Sequence, residues 1–149
     1  MKDTPLRTDY VTPDDMLIPP VPAKNVAKII EAFKGQPGLY VHIPFCKSIC
    51  PFCPYNKVVY DKGLATSYFR VLEKEIDCYL EGSREPFSSL YIGGGTPTLC
   101  LDELDYIMEK IDITGEIAIE VLPSHATEDT VKRLKGMGIN YLSLGIQSF

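Results

Sequence analysis

Short β-rich segments alternate with amphipathic helical segments along most of this chain. In the first long helical segment, Phe69, Leu72 and Ile76 recur at helical spacing, and Gly82 stops the pattern. Thr127 is placed to cap the last helix, with acids in its first turn. The predicted strands cover 39–43, 89–92, 117–121 and 141–146. The predicted helices cover 66–81, 101–111 and a segment from 128 that ends at Gly136 or Gly138.

Strands separated by single helices predict right-handed βαβ crossovers and therefore an α/β fold with parallel strands. In such sheets, binding residues gather at the carboxyl ends of the strands. A segment of cysteines, a glycine-rich turn at 93–95, Glu120 and Gln147 all lie at or just past the end of a predicted strand. Their shared position predicts one site at one edge of the sheet.

Composition places the chain among ordinary single-domain globular proteins. It has 149 residues, 45% of them hydrophobic, and a net charge of −5, which gives no case for nucleic-acid binding. No apolar run approaches the roughly 20 residues of a membrane span, and the N-terminus lacks a signal-peptide core. We expect a cytoplasmic protein with an N-terminal extension over 1–37, including a short helix around Val26 to Phe33, and a core over 38–149.

Three of the five cysteines, Cys46, Cys50 and Cys53, lie within one C-x3-C-x2-C segment. A structural zinc site needs four ligands, for which His42 is a candidate fourth, and a disulfide framework needs an even count. A 4Fe–4S cluster takes four thiolates, so three leave one iron open to a substrate or cofactor. The remaining cysteines, Cys78 and Cys100, are expected to be packing or near-surface residues, with a role as fourth ligand as the alternative.

The wider segment Leu-Tyr-Val-His-Ile-Pro-Phe-Cys, ending at Cys46, resembles the radical S-adenosylmethionine (SAM) superfamily. It is most similar to the branch with oxygen-independent coproporphyrinogen III oxidase, a haem chaperone and radical methyltransferases. The resemblance implies a 4Fe–4S cluster on the three cysteines, SAM on the open iron and formation of a 5′-deoxyadenosyl radical. It also implies a reductant protein of the flavodoxin or ferredoxin type.

The resemblance also assigns a SAM pocket. Gly93-Gly-Gly-Thr-Pro-Thr98 resembles the family's methionine-binding motif, although alone it would be read as a tight turn. Glu120 matches a position that binds the ribose hydroxyls, with a solvated strand end as the alternative. The implied SAM-binding residues are Tyr40, Phe52, Gly94, Gly95, Thr96, Glu120 and Gln147. The resemblance places Tyr40 at the lip of the first strand.

The resemblance implies a partial (β/α) barrel that is truncated after the fourth strand, because a complete barrel needs about 200 residues or more. The alternative is a small protein that completes its sheet by dimerisation. The implied substrate is a tetrapyrrole with several carboxylates. Four basic residues in or near the cysteine segment could steer such a polyanion to the site: Lys47, Lys57, Lys62 and Arg70. The oxidase carries a further cysteine where this chain has Tyr55, so a haem chaperone, a methyltransferase and an inactive fragment stay open.

Overall fold

A computed structural model describes residues 25, 28–30, 35–82 and 86–146. Residues 28–30 are helical, in agreement with the predicted short helix, whereas Val26 and Phe33 lie outside the described residues. The strands are β1 (Gly38–Ile43), β2 (Phe45–Cys46), β3 (Val58–Val59), β4 (Ser89–Gly94), β5 (Ile117–Val121) and β6 (Tyr141–Leu144). The helices are α1 (Lys62–Gly82), α2 (Leu101–Met108) and α3 (Glu128–Gly136), with short 3₁₀ turns at Pro97–Leu99 and Pro123–His125.

Four strands form one parallel sheet in the order β1-β4-β5-β6. Tyr40 is in register with Tyr91, Tyr91 with Ala118, and Ala118 with Tyr141. Because every pair is parallel, all four carboxyl ends lie at one edge. The predicted parallel α/β fold is therefore confirmed.

One face of the sheet packs against the helices and forms the core. Ile43, Ile92 and Ile119 on this face are fully or almost fully buried. The apolar stripe of α1 covers them, with Ala65, Phe69, Leu72 and Ile76 buried. Burial of each large apolar side chain contributes roughly 1.5–3 kcal/mol, so this layer fixes how the strands are placed.

The opposite face of the sheet carries aromatic and polar side chains. Tyr40 and Tyr91 stack with ring centroids 6.1 Å apart, and Tyr141 lies in the same row. Two residues beyond Ala118 along β5, and so on the same face, Glu120 is in register with Ser143 of β6. The two faces thus separate by alternation along each strand, and the polar face continues to the carboxyl edge.

A second, two-stranded sheet lies at the base of the cysteine segment and was not predicted. Pro44 separates β2 from β1, and β2 pairs in parallel with β3, with Cys46 in register with Val59. Phe45 is fully buried and meets the rings of Tyr60 and Tyr68 edge-on. Such aromatic pairs contribute about 0.5–1.5 kcal/mol each, so they anchor the start of the cysteine segment.

Candidate functional site

A cavity of about 720 Å³ opens at the carboxyl edge of the sheet. Its walls come from the cysteine segment, from the turn after β4 and from the ends of β5 and β6. The lining residues are Cys46, Lys47, Ser48, Cys50, Phe52, Cys53, Pro54, Tyr55, Lys57, Gly94, Gly95, Thr96, Glu120, Val121, Leu122, Ser124, His125, Ser143 and Gly145. Most of the residues that the sequence singled out for chemistry therefore share one space.

The three clustered thiols all line this cavity. Cys46 and Cys53 are half-buried, Cys50 is exposed, and a hydrogen bond of 3.2 Å from the Cys53 amide to the Cys50 carbonyl curls the loop between them. Burial raises the pKa of the Cys46 thiol, an effect that a hydrogen bond with Thr96 partly offsets.

The donor chemistry of the loop fits an iron–sulfur cluster. Within the ranges that the structure describes, no set of three or more His, Cys, Asp or Glu side chains is placed to hold a metal ion as it stands. Three thiols on one cavity wall are nevertheless the ligand type that iron–sulfur clusters take. The ring nitrogens of His42 are both in hydrogen bonds, with the Tyr40 hydroxyl and the Asn56 carbonyl, each at 2.9 Å. This arrangement disfavours His42 as a fourth zinc ligand.

The glycine turn after β4 lies directly against the cysteine segment. The amides of Gly95 and Thr96 donate to the carbonyls of Ile43 and Phe45 at 2.8 and 2.7 Å. Gly94 has a φ of +117°, which L side chains rarely adopt. A Cβ atom on Gly95 would lie 2.6 Å from the Phe45 carbonyl oxygen and 2.9 Å from the Cys46 sulfur. Glycine is therefore required for this close approach.

Glu120 is held at the cavity wall by two donors. The Gly94 amide donates to Oε2 and the Tyr91 hydroxyl donates to Oε1, both at 3.0 Å. The carboxylate is half-buried rather than a freely solvated strand end. A carboxylate accepts about four hydrogen bonds, so this group keeps acceptor capacity for ligand hydroxyls.

Three predicted pocket residues remain: Phe52 lines the cavity, Tyr40 does not, and the third is not described by the structure. Phe52 lines the cavity with 75% of its surface exposed. Tyr40 lies in the middle of β1, not at its lip, and it is not part of the cavity lining, although it stacks on Tyr91. Gln147 lies outside the described residues.

His125 is a site residue that the sequence reasoning missed. It is half-buried, lines the cavity and is hydrogen-bonded through Nδ1 to the Thr98 hydroxyl at 2.7 Å. The turn that starts at Pro123 directly follows β5. The rule that placed Glu120 at the carboxyl edge could therefore have found His125 as well.

The other two cysteines lie outside the cavity lining, and the four basic residues proposed to steer the substrate are divided between lining and non-lining positions. Cys100 is fully buried, which raises its pKa to about 12, and neither Cys100 nor Cys78 lines the cavity. Lys47 and Lys57 line it, whereas the other two basic residues proposed to steer the substrate do not. None of the described helices is both long and apolar enough to cross a membrane.

Comparison with known proteins gives the chain its family. Residues 40–149 match the family model of the Radical SAM superfamily. The chain is 34% identical over 119 residues to the heme chaperone HemW of Bacillus subtilis, covering 74% of this chain and 31% of that protein. It is 39% identical over 128 residues to the oxygen-independent coproporphyrinogen III oxidase of Pseudomonas aeruginosa, covering 77% of this chain and 28% of that protein.

The fold is similar to a solved structure from the same group. Coproporphyrinogen III oxidase (HemN) from Escherichia coli, described as a radical SAM enzyme, superposes with a TM-score of 0.72 at 34% identity, covering 85% of this chain and 31% of that one. The chain thus spans less than a third of the length of these relatives. Both the matched range and the shared fold show that this chain belongs to the radical SAM superfamily.

Proposed function

We propose that this chain binds a 4Fe–4S cluster through Cys46, Cys50 and Cys53 and binds SAM in the adjoining cavity. The observation that carries the proposal is that the three thiols share one cavity with the glycine turn and the Glu120 carboxylate. Bound together, the two groups supply one-electron chemistry that starts a radical reaction on an organic substrate. A cytoplasmic reductant of the flavodoxin or ferredoxin type would deliver the electron.

The chain's own residues bind and orient the cofactor. The glycine turn brings main-chain groups close to the cysteine segment, where no side chain at Gly95 would fit. Glu120, oriented by Tyr91 and the Gly94 amide, offers acceptors to a pair of ribose hydroxyls. Phe52 provides apolar cover at the mouth, which would limit water at the cavity.

The proposed substrate class is a tetrapyrrole. The names of the relatives refer to coproporphyrinogen III and to heme, which are both tetrapyrroles. Lys47 and Lys57 on the cavity wall carry charge that suits propionate carboxylates. The leading activity is oxidation of a porphyrinogen by a complete protein that contains this domain.

Tyr55 supports a second candidate, a haem chaperone. This side chain lines the cavity with 63% of its surface exposed, at the position where the resemblance places a further cysteine in the oxidase. Mass spectrometry of reactions of the full-length protein separates the candidates. Loss of carboxyl groups from coproporphyrinogen supports the oxidase, and stable haem binding without turnover supports the chaperone. S-adenosylhomocysteine as a product would indicate a methyltransferase instead.

The cofactor proposal is tested by anaerobic reconstitution with iron and sulfide, followed by EPR of the reduced protein with and without SAM. We expect a 4Fe–4S signal that changes when SAM is added. Alanine at Cys46, Cys50 or Cys53 should abolish the SAM-responsive signal, whereas Cys78→Ala, a matched control outside the cavity, should retain it. Stoichiometric zinc in place of iron, or loss of the cluster in Cys78→Ala alone, would refute the ligand assignment.

A further inference from the structure

The Lys57 side chain folds back into the cysteine loop. Its ammonium donates to the Cys53 carbonyl at 2.5 Å and lies 3.3 Å from the Tyr55 carbonyl. Lys57 is half-buried, in contrast to Lys47 on the same loop, which is exposed. A flexible lysine that is drawn against two main-chain carbonyls is an ordered part of the loop and not a solvated surface charge.

Lys57 also directly precedes the segment whose hydrogen bonds join the two ends of the loop. The next amide, that of Val58, donates to the Pro44 carbonyl at 2.8 Å, and the Tyr60 amide donates to the Cys46 carbonyl at 2.8 Å. These bonds fix the base of the loop, whereas the Lys57 ammonium contacts the part of the loop further from this base, at the Cys53 carbonyl. Hydrogen bonds from a charged donor are about twice as strong as neutral ones.

We infer that Lys57 is a positioning residue that holds the cysteine loop in shape before any metal binds and that raises the reduction potential of a cluster bound there. The second half of this inference rests on the proposed function. The first half concerns the chain's own hydrogen bonds and holds without a cofactor.

The effect on potential follows from charge. A cluster held by three thiolates gains one more negative charge on reduction, and a nearby positive charge stabilises the reduced state more than the oxidised state. Lys57 and the three thiols line the same cavity. Hydrogen bonding and charge around the sulfur ligands are known means by which a protein tunes such a centre.

The first experiment measures hydrogen–deuterium exchange of the metal-free chain. In Lys57→Met, we expect the amides of Cys53 and Val58 to lose protection roughly tenfold, since a charge-assisted hydrogen bond is removed. Lys47→Met removes the same charge from the same loop and should leave these amides unchanged. Lys57→Arg, which keeps donors and charge, should retain part of the protection. Equal exchange in the two methionine variants would overturn the positioning role.

The second experiment measures the midpoint potential of the reconstituted cluster by EPR-monitored redox titration. Lys57→Met should shift the midpoint to a more negative value, and Lys57→Arg should restore most of the shift. An equal shift in Lys47→Met would show a general effect of surface charge and would overturn the specific role of Lys57. If the wild-type chain formed no cluster, the proposed function would fail, whereas the exchange experiment would still decide the positioning role.

Discussion

Replacing Gly95 by Ala tests whether the close contact between the glycine turn and the cysteine segment is required. The added methyl group would lie 2.6 Å from the Phe45 carbonyl oxygen and 2.9 Å from the Cys46 sulfur. The first of these is a main-chain atom in the short strand β2 and cannot rotate away. The same carbonyl accepts the Thr96 amide at 2.7 Å, so a displacement that relieves the clash also strains this hydrogen bond.

The magnitude follows from these two effects. Forcing an extra methyl group into a packed site costs about 1–3 kcal/mol. Weakening the hydrogen bond to the Phe45 carbonyl costs up to roughly another 1 kcal/mol. We therefore expect Gly95→Ala to lower the free energy of unfolding by about 1–4 kcal/mol. The displaced Cys46 sulfur should also lower the yield of cluster on reconstitution.

The assay is urea unfolding of the metal-free chain, followed by circular dichroism, with Gly136→Ala as the matched control. Gly136 is the last residue of α3, and a Cβ atom there would meet nothing within 4 Å. Alanine in a helix is favoured over glycine by about 0.5–1 kcal/mol, so the control should be slightly more stable than wild type. If Gly95→Ala unfolded at the same urea concentration as Gly136→Ala, the steric reasoning would be refuted.

Two further predictions concern hydrogen bonds outside the cysteine loop. Tyr91→Phe removes one of the two donors that hold the Glu120 carboxylate. In a titration with SAM followed by EPR, half-saturation should then need roughly tenfold more SAM. An unchanged titration curve would contradict this role. Lys110 lies 2.6 Å from Glu73 and lowers the pKa of that carboxyl below its ordinary value of 4.5. This pair stabilises the fold fully at pH values above the ordinary pKa of the carboxyl. The stabilisation is lost as the pH falls through the lowered pKa of Glu73 in the folded state. Lys110→Met should lower the melting temperature at neutral pH and flatten its fall in acid, whereas Lys132→Met, which breaks an exposed pair, should change neither.

Much of the fold could be predicted because periodicity reports directly on burial. The stripe of α1 and the alternation in β5 are local signals; β5 has the predicted bounds, and α1 ends within one residue of the predicted end. The start of α1 was predicted at Thr66, four residues later than observed. Asp61 caps the helix there, with its carboxylate accepting the Leu64 amide at 2.8 Å. The glycine and lysine in that first turn carry no apolar period, so the pattern alone did not reveal it.

The candidate site was predictable to the extent that parallel strands collect their carboxyl ends. This rule needs no distances, and the structure places the thiols, the glycine turn and Glu120 around one cavity. Tyr40 was placed at the strand lip by resemblance alone. The pairing of β1 with β4 instead puts it in mid-strand against Tyr91, since register depends on contacts between distant segments. A register of this kind cannot be read from one strand.

The shape of the cysteine loop was the part that sequence reasoning could not reach. The strands β2 and β3 have two residues each, too few for any period, and they form because Pro44 and Cys46 accept hydrogen bonds from residues about fourteen positions away. The Lys57 contact with Cys53 is equally invisible, because exposed and folded-back lysines read alike in a sequence. Ligand chemistry depends on residue type, which a sequence states outright. The order of the loop depends on a few polar contacts whose partners only the fold brings together, and the exchange of the Cys53 amide reports on them directly.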